Sequence, residues 1–319
     1  MPATVRIATR ASELALRQAR MVQAALDAAG TPSELVTFKT VGDKKLDESL
    51  SAIGAKGLFT KELEVALAAG TVDCCVHSLK DLPTDMPEGL ALVAMLVRED
   101  PRDVLVVNDR IVAESLDDLP RGSRVGTSSL RRRAQLLHRR SDLEVVELRG
   151  NVPTRLRKVD EGQVHAAILA GAGLKRLEAE QRIDAWLDAP DWLPAAGQGV
   201  IAVEAREDDA RMTELLASIH HAPSAFAARA ERSLLAALDG GCQVPIGALL
   251  IGEGTAAVLH ALVSDLHGKE IVRGALAIGS QSAEQAGQAL AARMRRDGAT
   301  AILAAVRADS AKIPSPQPE

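Results

Sequence analysis

Aromatic residues are scarce in this chain of 319 residues: they make up 2% of it, and tyrosine is absent. Hydrophobic residues nevertheless account for 47% of the sequence, so a core is built from aliphatic side chains and alanine. The scarcity also argues against binding of single-stranded nucleic acid by base stacking, which needs aromatic platforms. A net charge of −5 points the same way, because nucleic-acid-binding domains are usually basic.

Cysteine is rare as well, with three residues, two of them adjacent. Such a set is a poor disulfide framework and favours a reducing, cytoplasmic compartment. The longest uninterrupted apolar stretch, residues 90–97, is about a third of the length that a membrane-spanning helix needs. The first residues lead into a strand and lack the apolar segment of a signal peptide. We therefore expect a cytoplasmic protein.

The common catalytic and cofactor motifs are also missing. There is no Walker A loop and no HExxH pair, and residues 171–176 open like a dinucleotide loop but place Arg176 where the third glycine belongs. The histidines show no metal-ligand spacing, so no metal is expected. These absences leave the class of reaction open and turn attention to charge and to single residues.

Short apolar runs alternate with amphipathic segments that glycine closes. Helices are predicted at 12–29, with Ser12 as N-cap and Gly30 past the end, and at 60–69, 130–140, 153–161 and 175–187. Alternation of this kind favours mainly parallel sheets covered on both faces. An alanine-rich helix at 223–238, two hairpin-like strands and a helix at 283–296 indicate a separate α+β module. Pro/Gly junctions near Pro101 and Gly197 suit a cleft between two lobes.

Arginine is concentrated between residues 121 and 157, where ten arginines accompany three acidic residues. A solvated basic face is one interpretation. However, many basic and hydroxyl side chains follow predicted strands or open predicted helices, and in α/β sheets ligands gather where strand ends meet helix N-termini. Bidentate guanidinium groups match carboxylates. The pattern therefore predicts a crevice for a small molecule with many carboxylates. The residues concerned are Arg10, Ser12, Thr127, Ser128, Ser129, Arg131, Arg132, Arg133, Arg149, Arg155 and Arg176.

Two further residues are candidates for chemistry. Asp81 directly follows a buried apolar strand and could project into the crevice, although an aspartate before Leu-Pro is often a turn former. Cys242 lies between paired glycines and a proline; we expect such a loop to expose the thiol, and an electropositive cleft nearby would lower its pKa. Cys74 and Cys75 lie in an apolar run, where cysteine behaves as a small hydrophobe.

Eight segments resemble, in family order, those of the porphobilinogen deaminases (hydroxymethylbilane synthases). They are RIATRAS at 6–12, KGLFTKE at 56–62, VHSLKDLP at 76–83, GTSSLRR at 126–132, LRGNVPTRL at 148–156, ILAGAGLKRL at 168–177, LPAAGQG at 193–199 and GGCQVPIG at 240–247. The last seventy or so residues match only in general character. Ala55 and Glu13 depart from the family pattern, in which glycine and proline are common at those positions.

The resemblance implies a fold of class α/β: two periplasmic-binding-protein-like (type II) domains around a cleft, plus a smaller α+β C-terminal domain. The implied bounds are 1–99 plus 200–218 for domain 1, 100–199 for domain 2 and 219–319 for the domain that carries the cofactor. It also implies a monomeric, cytoplasmic transferase of haem and porphyrin biosynthesis. Such an enzyme condenses four porphobilinogen molecules head to tail, with loss of ammonia, and hydrolysis releases hydroxymethylbilane to a downstream uroporphyrinogen-forming enzyme.

By position, the resemblance also implies roles for individual residues. Cys242 would hold a dipyrromethane cofactor through a thioether, and Asp81, with Lys80, would be catalytic, Asp81 stabilising the cationic intermediate. Phe59 would belong to a mobile lid, and no metal would be needed. Cofactor and substrate would be bound by Arg10, Ser12, Gln18, Lys56, Ser78, Thr127, Ser128, Ser129, Arg131, Arg132, Arg149, Arg155 and Arg176.

Two other functions stay open on the residues alone. A solute-binding or effector-sensing protein of the same architecture would explain the arginines and the cleft. It would not explain the Gly-Gly-Cys loop or Asp81. A nucleic-acid-binding protein comes third, and a steep loss of affinity with salt would be its mark.

Overall fold

A computed structural model of the chain describes residues 4–40, 60–239 and 244–311. In these ranges the strands form three separate sheets, two of five strands and one of three. None of the helices described is both long and apolar enough to cross a membrane.

The strands are short, as expected for a chain that alternates strands and helices. In chain order they are β1 (Val5–Arg10), β2 (Ser33–Phe38), β3 (Cys74–Ser78), β4 (Leu90–Met95), β5 (Asp103–Val107), β6 (Arg124–Gly126), β7 (Glu144–Val146), β8 (Ala166–Ala170), β9 (Ala185–Leu187), β10 (Ile201–Arg206), β11 (Ile246–Ile251), β12 (Val258–Ser264) and β13 (Ile271–Ala277).

The α-helices fall between and after these strands. They are α1 (Glu13–Ala28), α2 (Lys61–Ala68), α3 (Leu130–Arg139), α4 (Val152–Asp160), α5 (Gly171–Arg176), α6 (Ala210–Ala217), α7 (Ala222–Ala237), α8 (Ala283–Met294) and α9 (Thr300–Ala311). A 3₁₀ turn at Leu79–Asp81 follows β3 directly.

The two five-stranded sheets share one plan and form two lobes. The first has the order β2-β1-β3-β10-β4 and the second β7-β6-β8-β5-β9. In each sheet, one strand comes directly after the chain has crossed from the other lobe. The chain passes from β4 of the first sheet to β5 of the second, and later from β9 of the second sheet back to β10 of the first. Strands β5 and β10 both run antiparallel to their neighbours. Four of the five strands in each sheet therefore run in the same direction, as predicted, and the single antiparallel strand makes each sheet mixed.

The third sheet, β11-β12-β13, is antiparallel and packs with α7, α8 and α9 around its own core. Alanines contribute to the helix side of this core, among them Ala230, Ala286 and Ala291. Small side chains allow close helix packing: at Gly287 in α8 an added Cβ would lie 2.6 Å from the backbone oxygen of Ala230 in α7. The predicted fold class, two α/β lobes with a smaller α+β domain, is confirmed.

One predicted helix is wrong in a way that matters for the cleft. The expected helix at 175–187 ends at Arg176, and residues 185–187 instead form β9 at the edge of the second sheet. Glu178 adopts a left-handed conformation with φ of 57°, which stops the helix. Trp186 then pairs with Val104 across β5 and β9. The turn brings Arg176 to the end of a short helix that faces the first lobe.

Candidate active site

A cavity of about 80 Å³ lies between the two lobes, at the ends of their strands. The first lobe contributes polar side chains from α1 and from the end of β3, and the second contributes three arginines from α3, α4 and α5. The crossing segment before β10 closes the cavity. The polar residues that line it are Gln18, Ser78, Lys80, Arg132, Arg155, Arg176 and Gln198. Six of these seven had been predicted as site residues.

Local backbone structure explains why the arginines of the second lobe meet here. The side chain of Ser129 caps α3 by accepting a hydrogen bond from the backbone N–H of Arg132, and Asn151 caps α4 in the same way. Each helix thus begins at the edge where β6 or β7 ends, so its first turn points toward the cavity. Helix N-termini carry partial positive charge, which adds to that of the guanidinium groups.

Asp103 at the start of β5 anchors the arginine run. Its carboxylate accepts hydrogen bonds of 2.7 Å from Arg131 Nη1 and 2.7 Å from Arg132 Nη2. It also accepts bonds of 2.9 Å from the indole of Trp192 and 2.8 Å from the amide of Gln198. Burial opposes ionisation, but the two guanidinium groups hold the pKa of Asp103 well below its usual value. The carboxylate thereby fixes the orientation of side chains that reach the cavity.

Two arginines at the cavity carry buried N–H groups that find no hydrogen-bond partner among the residues that the structure describes. Arg132 donates from Nη1 to the carbonyl of Ile168 at 3.0 Å, yet its Nε has no partner. Arg176 donates from Nη2 to the carbonyl of Gly199 at 2.6 Å, and its Nε is likewise unpartnered. A buried donor without an acceptor is costly, so the arrangement suits an anionic ligand that supplies acceptors.

Two of the arginines that line the cavity have lowered pKa values. Burial lowers the pKa of Arg176 to about 10. Burial also lowers the pKa of Arg155 to about 10, and the charges of Arg132 and Arg149 add to this effect. Positive charges are thus held together in a desolvated place, and bound carboxylates would relieve both the desolvation and the mutual repulsion.

Lys80 and Asp81 lie on the 3₁₀ turn after β3. Lys80 Nζ donates to Gln198 Oε1 at 3.3 Å. Burial lowers the pKa of Lys80 to about 8; the charges of Arg132 and Arg131 also lower it, whereas Asp81 raises it. Asp81 is exposed, and its charge raises the pKa of both Lys80 and Arg155. Its carboxylate therefore lies beside the cavity, close to both lobes.

Gln18 and Ser78 of the cavity wall are hydrogen-bonded to each other, with Gln18 Nε2 donating to Ser78 Oγ at 2.7 Å. The other predicted residues that the structure describes stand around the cavity wall rather than on it. Ser12 caps α1, Ser128 donates to the carbonyl of Leu148, and Thr127 Oγ1 accepts from the N–H of Ser129. The remaining arginines include Arg131, which also donates to the carbonyl of Leu193, Arg149, which donates to Glu147, and Arg10, which ends β1.

Three predicted residues, Lys56, Phe59 and Cys242, lie outside the described residues. Two residues of the site had not been predicted, Asp103 and Gln198. Asp103 could have been predicted from the sequence. It begins the apolar run DVLVV, and if that run forms a buried strand, the aspartate at its start is buried as well. Gln198 stood within the quoted segment LPAAGQG, between two glycines that both adopt positive φ.

Comparison with known proteins matches this chain along most of its length. Residues 5–214 match the family model "Porphobilinogen deaminase, dipyromethane cofactor binding domain", and residues 225–296 match "Porphobilinogen deaminase, C-terminal domain". The porphobilinogen deaminase of Moorella thermoacetica is 51% identical over 97% of this chain and 98% of its own length. That of Syntrophotalea carbinolica is 48% identical over 95% and 96%. Among solved structures, the methionine-binding protein MetQ aligns with a TM-score of 0.43 and 17% identity over 68% of this chain and 89% of that chain.

Proposed function

The chain belongs to the porphobilinogen deaminase family, and from that premise we propose which of its residues carry out the family's reaction. The resemblance drawn from the sequence motifs is thereby confirmed. The chain is a transferase that joins porphobilinogen units head to tail on a dipyrromethane cofactor. The observation that carries the assignment of roles is the set of buried, partly unpartnered arginines at the cavity between the lobes.

The residues present fit a cofactor that bears several carboxylates. Arg132 and Arg176 each keep a buried N–H donor that lacks a partner in the described ranges, and Arg155 stands beside them in the cavity wall. We assign the acetate and propionate groups of cofactor and substrate to these three arginines. When bound, the cofactor supplies a covalently held chain of pyrroles that the reaction lengthens. Cys242, outside the described residues, would provide the attachment.

Around these arginines the proposed site has a polar shell. Ser78 and Gln18 are hydrogen-bonded to each other and add neutral donors and acceptors on the side of the first lobe. Arg131 reaches the site through Asp103, which it shares with Arg132, so we assign it a role in positioning. Arg10 and Arg149 would extend the positive surface, and Ser12, Thr127, Ser128 and Ser129 would hold the backbone at the helix starts.

Asp81 and Lys80 are the proposed catalytic pair. A carboxylate next to the cavity stabilises positive charge on a pyrrole nitrogen and accepts its hydrogen bond, and charge stabilisation of this kind is usually a large contribution to catalysis. With a pKa of about 8, Lys80 keeps its proton near neutral pH and releases it more easily than an exposed lysine does. Lys80 would therefore hold or deliver a proton within the cavity.

We propose that the lobes separate when substrate enters. A cavity of about 80 Å³ is smaller than the ~150 Å³ engineered cavity that accepts benzene, and a pyrrole with two acid arms is larger than benzene. The ion pair between Arg17 in α1 and Glu178 after α5 bridges the lobes, but the Glu178 side chain is 76% exposed, so this pair resists opening only weakly. Lys56 and Phe59 would belong to a lid over the opening.

The division into domains 1–99 plus 200–218, 100–199 and 219–319 is part of the proposal. The return of β10 to the first sheet and the separate core around β11–β13 support it. We further propose a cytoplasmic monomer that passes its product to a uroporphyrinogen-forming enzyme, on the cysteine usage and the family membership.

The test of the catalytic assignment is Asp81→Ala. We expect porphobilinogen consumption to fall by ~10²–10³, the usual cost of removing an electrostatic stabiliser, while circular dichroism stays that of the wild type. Asp85→Ala is the matched control, because Asp85 is also exposed and lies four residues further along the same segment. Retention of more than roughly a tenth of wild-type activity in Asp81→Ala would remove Asp81 from its role.

A further inference from the structure

Three chemically reactive side chains meet in the core of the first lobe, away from the cavity lining. Cys75 and His77 lie two residues apart on β3 and therefore share a face of the sheet. Glu204 on β10 is directly opposite Cys75 in the antiparallel register. All three side chains are buried, and one donor atom from each lies within 4.8 Å of the others.

Local geometry directs Glu204 toward this cluster. The pairing of β10 with β4 shifts register between Val203 and Glu204, and such a bulge re-aims the side chain that follows it. One carboxylate oxygen, Oε2, lies 3.0 Å from His77 Nε2. The other, Oε1, is buried with the rest of the side chain, which is 0% exposed, and it accepts no hydrogen bond within the described part of the chain. A fully buried carboxylate with an unpartnered oxygen needs a compensating donor or cation.

The cation nearest in sequence to Glu204 on β10 is engaged elsewhere. Arg206 follows two residues later, and its guanidinium donates to the carbonyls of Leu67 and Val72 and to Asp209. The buried Oε1 of Glu204 is therefore left without a compensating charge among the residues that the structure describes.

We propose that Cys75, His77 and Glu204 form a binding site for one divalent transition-metal ion of borderline softness, with Zn²⁺ the best fit. Sulfur, imidazole nitrogen and carboxylate oxygen together suit Zn²⁺, whereas Mg²⁺ and Ca²⁺ prefer oxygen ligands alone. Three protein ligands leave the fourth tetrahedral position to water. Binding converts the Cys75 thiol to a thiolate, and the proton goes to solvent.

A metal ion bound here would stabilise the strand that leads into the active site. It joins β3 to β10, and β3 runs directly into Ser78 and the turn that carries Lys80 and Asp81. An ion that binds only the folded chain stabilises it by mass action. The expected role is therefore to hold the end of β3 in register.

The test is a titration of the cofactor-loaded, chelator-treated protein with Co²⁺, which reports a thiolate ligand through a near-ultraviolet charge-transfer band. We expect that band and visible absorption typical of tetrahedral Co²⁺ to saturate at one equivalent, and Zn²⁺ to abolish both. Cys75→Ala should remove the charge-transfer band. Cys74→Ala is the matched control and should keep it, since Cys74 is equally buried but lies on the opposite face of β3.

A second, more conservative variant distinguishes loss of metal binding from loss of folding. Glu204→Gln preserves the shape of the side chain and should weaken Co²⁺ binding by at least about tenfold. The wild-type protein should also gain thermal stability with Zn²⁺, and Cys75→Ala should not. Absence of a charge-transfer band in the wild type, or the same band in Cys75→Ala, would overturn the proposal.

Discussion

Replacement of Asp103 by asparagine tests whether the arginines of the active site depend on one buried carboxylate. The Asp103 side chain is 0% exposed, and its two arginine partners, Arg131 and Arg132, are 5% and 7% exposed. An amide keeps the shape but removes the charge, so two buried guanidinium groups lose their counter-ion. Removing one partner from a buried ion pair costs about 3–5 kcal/mol of unfolding free energy.

The chain offers a matched control on the same helix. Arg139 of α3 pairs with Asp117 on the surface, where the side chains are 46% and 55% exposed. Asp117→Asn should cost no more than about 1 kcal/mol. In a thermal melt followed by circular dichroism, Asp103→Asn should lower the midpoint by roughly 6–20 °C, on the usual conversion for 150–250 residues. A loss no greater than that of Asp117→Asn would refute the reasoning.

The difference in stability between the wild type and Asp103→Asn depends on pH, and its direction follows from the lowered pKa of Asp103. The pKa of Asp103 is lowered in the folded protein relative to the ordinary value of 3.8. A carboxylate of this kind stabilises the fold above its unfolded-state pKa, and the contribution is lost as pH falls toward the folded pKa. The stability gap between wild type and Asp103→Asn should therefore be constant above about pH 5 and narrow only in stronger acid.

Two further predictions concern the cavity itself. Because the pKa of Lys80 is about 8, kcat/KM should fall as the pH rises through that value. In Lys80→Arg this fall should move to higher pH, because arginine stays protonated. If the alkaline limb of the pH–rate profile stays at the same pH in the variant, Lys80 is not the group that titrates. Arg176→Gln should raise KM for porphobilinogen by roughly 10- to 150-fold, the worth of a charge-assisted hydrogen bond. Arg182→Gln, which breaks only a surface pair with Asp160, should leave KM unchanged, and equal effects of the two substitutions would contradict the assignment.

Much of the first lobe and of the helix starts could be predicted from local signals. Ser12 and Ser129 cap their helices as short hydroxyl side chains do, and Gly30 follows the end of α1 with positive φ. The prediction of a helix at 175–187 was wrong because no glycine follows Arg176 to indicate that the helix ends there. Glu178 takes the left-handed conformation instead, and the strand after it is held by tertiary pairing with β5.

Roles within the arginine run could not be separated from sequence. Arg131, Arg132 and Arg133 are adjacent, yet a helix turns about 100° per residue and sends them different ways. Arg131 turns inward to Asp103, Arg132 reaches both Asp103 and the cavity, and Arg133 donates to the carbonyl of Leu266 in the C-terminal domain. The strand directions of β5 and β10 were equally hidden, because they depend on where the chain crosses between lobes.

The intact mass of the purified protein, with the peptide around Cys242 mapped, tests the central claim most directly. We expect a covalent adduct of dipyrromethane size on that cysteine, present before any substrate is added. A chain that is unmodified, stays unmodified after incubation with porphobilinogen and does not consume it would contradict this assignment. The arginine-lined cleft would then have to be explained as that of a binding protein.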